Sequence, residues 1–232
     1  MVPTETIDKY GADALRLYIL ADTPLRRDID WNDSGIEGKQ RFLAQIWDLG
    51  GKLAGDTPPA LPEIVTGRER KAMGELARLA LEVAADIEER RGFHNAVARL
   101  HGFIGELRPL VNEAEAGELP VMRYVMAEFA KVLGSFAPHM AELLWRHAFG
   151  GTRSIFFESW PEPDPAFLVK DEITYSIQVN GKLRSTIDIA ADAGEADVVA
   201  TARAQEKVAP YLEGKTERRV IFVPKRLVNF VV

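Results

Sequence analysis

The hydrophobic period changes partway along this chain of 232 residues, and that change constrains the fold more than any motif does. Through the first 150 residues, apolar side chains recur at alternating spacings of three and four. Met73, Leu76, Ala80, Val83 and Ile87 make one stripe. Val97, Leu100, Ile104, Leu107 and Val111 make a second, and Met122, Val125, Phe129, Val132 and Phe136 a third. Such spacing gives a helix one apolar face, and several faces of this kind bury each other in a bundle. Later the period becomes two: Ile173, Tyr175, Ile177 and Val179 alternate with Thr174, Ser176 and Gln178. That is the pattern of a half-buried strand. The predicted class is therefore α+β, an antiparallel α-helical bundle followed by a small ββαββ domain.

Local signals divide the chain further. An apolar segment over 10–21 leads to a turn at Thr23-Pro24 and a charged loop through Arg26, Arg27, Asp28 and Asp30. Ser34 and Glu37 have capping-box spacing, which satisfies free N–H groups at a helix start. Phe42, Leu43, Ile46, Trp47 and Leu53 follow at helical spacing. The proline-rich stretch 57–62 cannot continue a helix. Thr66 and Glu69 repeat the capping box, and a last short helix runs from Pro138 to near Gly150. The expected units are a bundle over 1–150, a linker over 151–169 and a small α/β domain over 170–232. Phe156, Phe157 and Trp160 of the linker are expected to pack back on the bundle. Asn180-Gly181 is a hairpin signal, because both central positions of the turn need positive φ. A return strand over 183–189, a helix over 193–206 and strands over 220–223 and 227–232 complete the prediction.

The chemistry of the chain is marked mostly by exclusions. With 29 Lys and Arg against 35 Asp and Glu, the net charge of -6 rules out a chain that is basic throughout. There is no Cys, hence no disulfide or thiolate metal site. His94, His101, His139 and His147 form no metal-ligand spacing, so no metal is expected. Gly214-Lys215-Thr216 lacks the earlier glycine of a phosphate loop and reads as a turn before a strand. No catalytic residue is assigned. No apolar run is long enough to span a membrane, and residues 1–8 do not read as a signal peptide, so a soluble cytoplasmic protein is expected. One positive signal is electrostatic. From Lys170 onward ten basic residues meet nine acidic ones, whereas the first 169 residues carry 19 against 26. Lys215, Arg218, Arg219, Lys225 and Arg226 oppose only Glu217 in twelve residues. With Lys182 and Arg184 of the hairpin they define a candidate basic patch for phosphate. The competing reading is that edge strands carry Lys and Arg to block aggregation.

The order of several short motifs resembles class I aminoacyl-tRNA synthetases. Val2-Pro3 and the stretch from Lys9 to Arg16 are similar to the segment that follows KMSKS in that class. Asp30-Trp31, Gly35-Ile36-Glu37-Gly38, Arg41-Phe42-Leu43 and Trp47 resemble the leucyl-tRNA synthetase family, as do Phe93-His94-Asn95-Ala96 and the stretch from Pro138 to Trp145, where Leu143 replaces the usual second Glu. Trp160-Pro161 resembles the WP that follows. The stretches Gln178 to Arg184 and Val223 to Asn229 discriminate best, and they resemble the C-terminal domain of the bacterial leucyl family. The HIGH and KMSKS motifs and the editing insertion are absent.

The resemblance implies a C-terminal piece of a larger ATP- and Mg2+-dependent leucine–tRNA ligase, inactive alone and without a cofactor of its own. It implies an anticodon-binding-type bundle and a tail that holds the outer corner of tRNA-Leu, while the catalytic core of the parent chain does the chemistry. The expected protein is a cytoplasmic monomer. Arg41 matches a basic position that faces tRNA; the next such position is Gln45, which loses a charge, and Lys39 falls on another face. The candidate tRNA-binding residues are Arg41, Lys182, Arg184, Lys215, Arg218, Arg219, Lys225 and Arg226. Asn180 is assigned to the turn, and Trp31, Trp47, Trp145 and Trp160 to the core. The alternative is a free-standing helical protein-interaction module.

Overall fold

The computed structural model describes residues 3–22, 31–64, 66–162, 164–168, 172–190 and 193–232. The turn at Thr23-Pro24 and the charged loop after it lie outside the described residues. The chain divides into two compact units, Met1–Leu168 and Val169–Val232.

The first unit is helical. Helices α1 (Pro3–Tyr10) and α2 (Ala12–Asp22) are separated by Gly11, whose φ of 88° breaks the run. Then come α3 (Asp33–Lys52), α4 (Gly67–Glu88), α5 (Phe93–Asn112), α6 (Leu119–Gly134) and α7 (Pro138–Leu143), the last extended by a π turn over Leu144–Ala148. Helix α4 packs on α5 and α6, and α2 on α3 and α5. The three sequence stripes meet in this core, where Leu100, Leu107, Met122, Phe129 and Phe136 are wholly buried. Each such side chain stabilises the fold by about 1.5–3 kcal/mol.

The helix starts show which local signals hold. Thr66 caps α4 in a full capping box: its hydroxyl accepts from Glu69 N at 3.1 Å, and Glu69 Oε2 accepts from Thr66 N at 2.7 Å. Ser34 does not cap α3. Asn32 does, its Oδ1 accepting from Ser34 N at 2.9 Å, so the helix begins one residue before Ser34. Helix α7 is held by Asp13 of α2, whose carboxylate accepts from Met140 N at 2.7 Å and lies 2.8 Å from His139 Nδ1.

Two assignments to the core are corrected. Trp145 is buried and Trp160 half-buried, but Trp31 and Trp47 are 38% and 43% exposed. On α3 the buried face is filled by Phe42, Leu43, Ile46 and Leu49, and Trp47, one residue past Ile46, turns away from it. In the linker, Trp160 donates to Ala80 O at 3.3 Å and Ile155 is buried, yet Phe156 and Phe157 are 57% and 71% exposed. The short 3₁₀ turn Ile155–Phe157 can bury one of its three side chains, and it buries the isoleucine.

The second unit is a four-stranded sheet in the order β2-β1-β4-β3. Strands β1 (Glu172–Val179) and β2 (Lys182–Ala190) form an antiparallel hairpin, as do β3 (Arg219–Val223) and β4 (Leu227–Val231), and β1 runs parallel to β4. Asn180 and Gly181 have φ of 50° and 76°, as the hairpin requires. The helix α8 (Glu195–Arg203) is shorter than predicted, and a further short helix, α9 (Ala209–Leu212), was not foreseen. Tyr175, Ile177, Val179, Val228 and Phe230 pack with Val198, Ala202 and Val208 in a separate core.

Candidate nucleic-acid interface

The sheet register sorts the basic residues by position. Lys182 pairs with Val179 and Arg219 with Val231, and Arg218 N donates to Val231 O at 2.8 Å. All three lie at the Asn180-Gly181 end, but Lys182 is on one edge strand and Arg218 and Arg219 are by the other, about 14 Å apart at strand spacing. Lys225 and Arg226 lie in the β3–β4 turn, next to Leu227, at the other end. Four residues of β4 separate the two groups, roughly 13 Å at strand rise. The candidate cations are thus spread over both ends and both edges of the sheet instead of forming the single patch expected at one end. Lys215 follows the Gly214 turn, as predicted, and its N–H donates to Leu212 O at 3.1 Å.

Lys182, Lys215, Arg218, Arg219, Lys225 and Arg226 are exposed. None forms a salt bridge among the described residues, whereas Arg203 is spent on Glu217 through two contacts of 2.9 Å. Unpaired surface cations keep their full attraction for phosphate. Arg184 differs. It is the extra residue of a bulge, because Ile177 pairs with Ser185 and Gln178 with Leu183. Its guanidinium lies 3.8 Å from the Tyr211 ring centroid, and Nη1 donates to Tyr211 Oη at 3.1 Å. The fold also brings Lys207 near Arg184, a neighbour that spacing does not reveal.

Asn180 is structural. Its N–H donates to Phe230 O at 2.9 Å, and its Oδ1 accepts from Val232 N at 3.2 Å. The rings of Tyr175, Phe222 and Phe230 belong to the helix-covered core. The opposite face carries Ser176, Gln178, Ile221, Leu227 and Asn229, with no aromatic ring among the described strand residues. Base stacking on a sheet needs such rings. This surface suits contact with backbone and shape instead.

On the bundle, Arg41 and Gln45 are exposed on α3, and Arg41 has no salt bridge among the described residues. Lys39 Nζ sits 3.2 Å from His101 Nε2, and the imidazole stacks on Phe42 with centroids 3.7 Å apart. Burial, helped by the Lys39 charge, pushes His101 down to about 4. Exposed Trp47 lines a surface cleft with Lys52 and Arg108. Among the described residues no three His, Asp or Glu side chains gather as metal ligands, and no helix is long and apolar enough to cross a membrane.

Fold and surface together define a helical-bundle domain with an appended mixed-sheet unit that presents free cations. The chain belongs to the anticodon-binding domain family of tRNA ligases, whose model matches residues 69–200. Along 99% of its length it is similar to leucine–tRNA ligases, at 37% identity to that of Petrotoga mobilis and 38% to that of Paramagnetospirillum magneticum. It spans only 28% and 26% of those relatives' lengths. The whole chain also matches 30% of the LeuRS chain in the crystal structure of the Agrobacterium radiobacter K84 agnB2 LeuRS-tRNA-LeuAMS ternary complex, with a TM-score of 0.76 at 26% identity. A Mycobacterium tuberculosis methionyl-tRNA synthetase shares the fold over 71% of this chain and 41% of its own, with a TM-score of 0.50 at 14% identity.

Proposed function

We propose that this chain is the tRNA-binding portion of a leucine–tRNA ligase and that it positions tRNA-Leu for chemistry done elsewhere in the protein. The observation that carries the reading is the unbroken likeness, over both units, to an enzyme crystallised with tRNA. The bundle supports the body of the tRNA through Arg41, and the sheet unit holds its outer corner through Lys182, Arg184, Lys215, Arg218, Arg219, Lys225 and Arg226. The exposed cations around the sheet, and the lack of rings among the described residues of its open face, support recognition of shape and backbone. Placement of this kind lets a distant catalytic core meet the 3′ end in reactive geometry. ATP and Mg2+ serve that core. The chain by itself is an inactive cytoplasmic monomer.

Binding of tRNA-Leu measured against salt tests the reading. Arg226→Ala should weaken binding and make the log–log slope shallower by about one. Identical binding at every salt concentration removes Arg226 from the interface. Leucylation by this chain alone, given ATP and leucine, should be absent. The second reading, a protein-interaction module, is favoured by the exposed rings of Phe156 and Phe157. It predicts no salt-dependent affinity for tRNA.

A further inference from the structure

A cleft of about 560 Å³ opens beside the β2 edge, where the bulge meets the turn that follows α8. Its polar lining is Arg184, Ser185, Thr186, Gln205, Glu206 and Lys207. Its size falls within the range of small-ligand sites. Two cations face one carboxylate, so the lining is positive by one charge, with side-chain hydroxyl and amide donors beside it.

Arg184 is held in a fixed pose. The bulge leaves it without a cross-strand partner, and bulges commonly re-aim a side chain in this way. Tyr211 takes one face of the guanidinium and one Nη1 proton. Nε is shielded from solvent and has no partner, so a ligand would meet the guanidinium at Nη2 and at the second Nη1 proton, which no described residue takes. A planar guanidinium held at one end with donors to spare is suited to phosphate. Lys207 is exposed, forms no salt bridge among the described residues and adds a second charge.

We propose that this cleft binds one phosphodiester of an RNA backbone through Arg184 and Lys207, with Tyr211 as the positioning residue and Glu206 as a repulsive limit on a second phosphate. The inference rests on the RNA-binding reading above and adds a site to it. The net charge of the lining matches a phosphodiester, which carries a single negative charge.

The test is tRNA-Leu binding by the whole chain, followed by fluorescence anisotropy between roughly 50 and 200 mM salt. Lys207→Ala should lower affinity and reduce the slope by about one. Glu206→Gln should raise affinity, an opposite effect from the neighbouring position. Tyr211→Phe keeps the ring and every charge. It should weaken binding with an unchanged slope, which separates positioning from charge. Arg184→Lys should likewise keep the slope and lose affinity, because the planar fork is gone. If Lys207→Ala and Glu206→Gln both leave wild-type binding unaltered, the cleft is refuted while RNA binding stands. If the wild-type chain shows no salt-dependent binding, the RNA reading fails and the cleft proposal falls with it.

Discussion

Acid should loosen the bundle through His101, and the size of the effect follows from its surroundings. The imidazole is packed on Phe42 and faces Lys39, so the folded protein disfavours its charged form and its pKa falls from 6.5 to about 4. The unfolded chain titrates near 6.5. Between those values the unfolded state binds more protons than the folded one, and stability falls as pH is lowered. From pH 7 to 5 the linkage amounts to about 2 kcal/mol, and screening of a partly exposed group reduces it to about 1 kcal/mol. His101→Gln keeps an acceptor for Lys39 and removes the titration. Urea unfolding at pH 7 and pH 5 should show that the wild type loses about 1 kcal/mol more than the variant. Equal losses would refute the argument, because the acid sensitivity would then come from other groups.

Asp86 is fully buried at its side chain, and burial alone would raise its pKa. Hydrogen bonds from Arg99 and Arg90 outweigh that cost and hold it below the usual carboxylate range. Arg99→Ala should cost about 2–3 kcal/mol, read as a lower urea midpoint, since one partner of a buried charge is lost. The contribution of Asp86 is present above its ordinary pKa of 3.8 and disappears as pH falls below it. Gly150 has φ of 68°, and an added Cβ would lie 2.4 Å from the Asp56 backbone. Gly150→Ala should therefore cost at least about 2 kcal/mol, seen as a fall in Tm. Thr66→Ala should cost about 1 kcal/mol by the same assay, from the lost cap on α4.

Much of the fold was legible because its signals are local. The stripes on α4, α5 and α6 identify their own buried faces, and the Asn180-Gly181 turn needs no distant information. The false cap at Ser34 shows the limit: two capping residues lie close together, and Asn32 won after its N–H found Tyr18 Oη at 2.9 Å from another helix. Trp31 and Trp47 misled because size predicts burial only when the residue lies on the packed face. The cations were legible as a composition shift, but their division between two sheet ends follows from strand register. The meeting of Arg184, Lys207 and Tyr211 depends on a bulge and a turn, and no spacing in the sequence signals either.

The most direct measurement is the salt dependence of tRNA-Leu affinity for the wild-type chain beside a variant with Lys182, Arg218, Arg219, Lys225 and Arg226 all changed to alanine. Each phosphate contact contributes about 0.9 to the slope, so the variant's slope should be shallower than the wild type's by about 4, with the remainder carried by Arg41, Arg184, Lys207 and Lys215. Equal slopes for the two chains would contradict the claim that these exposed cations hold the RNA.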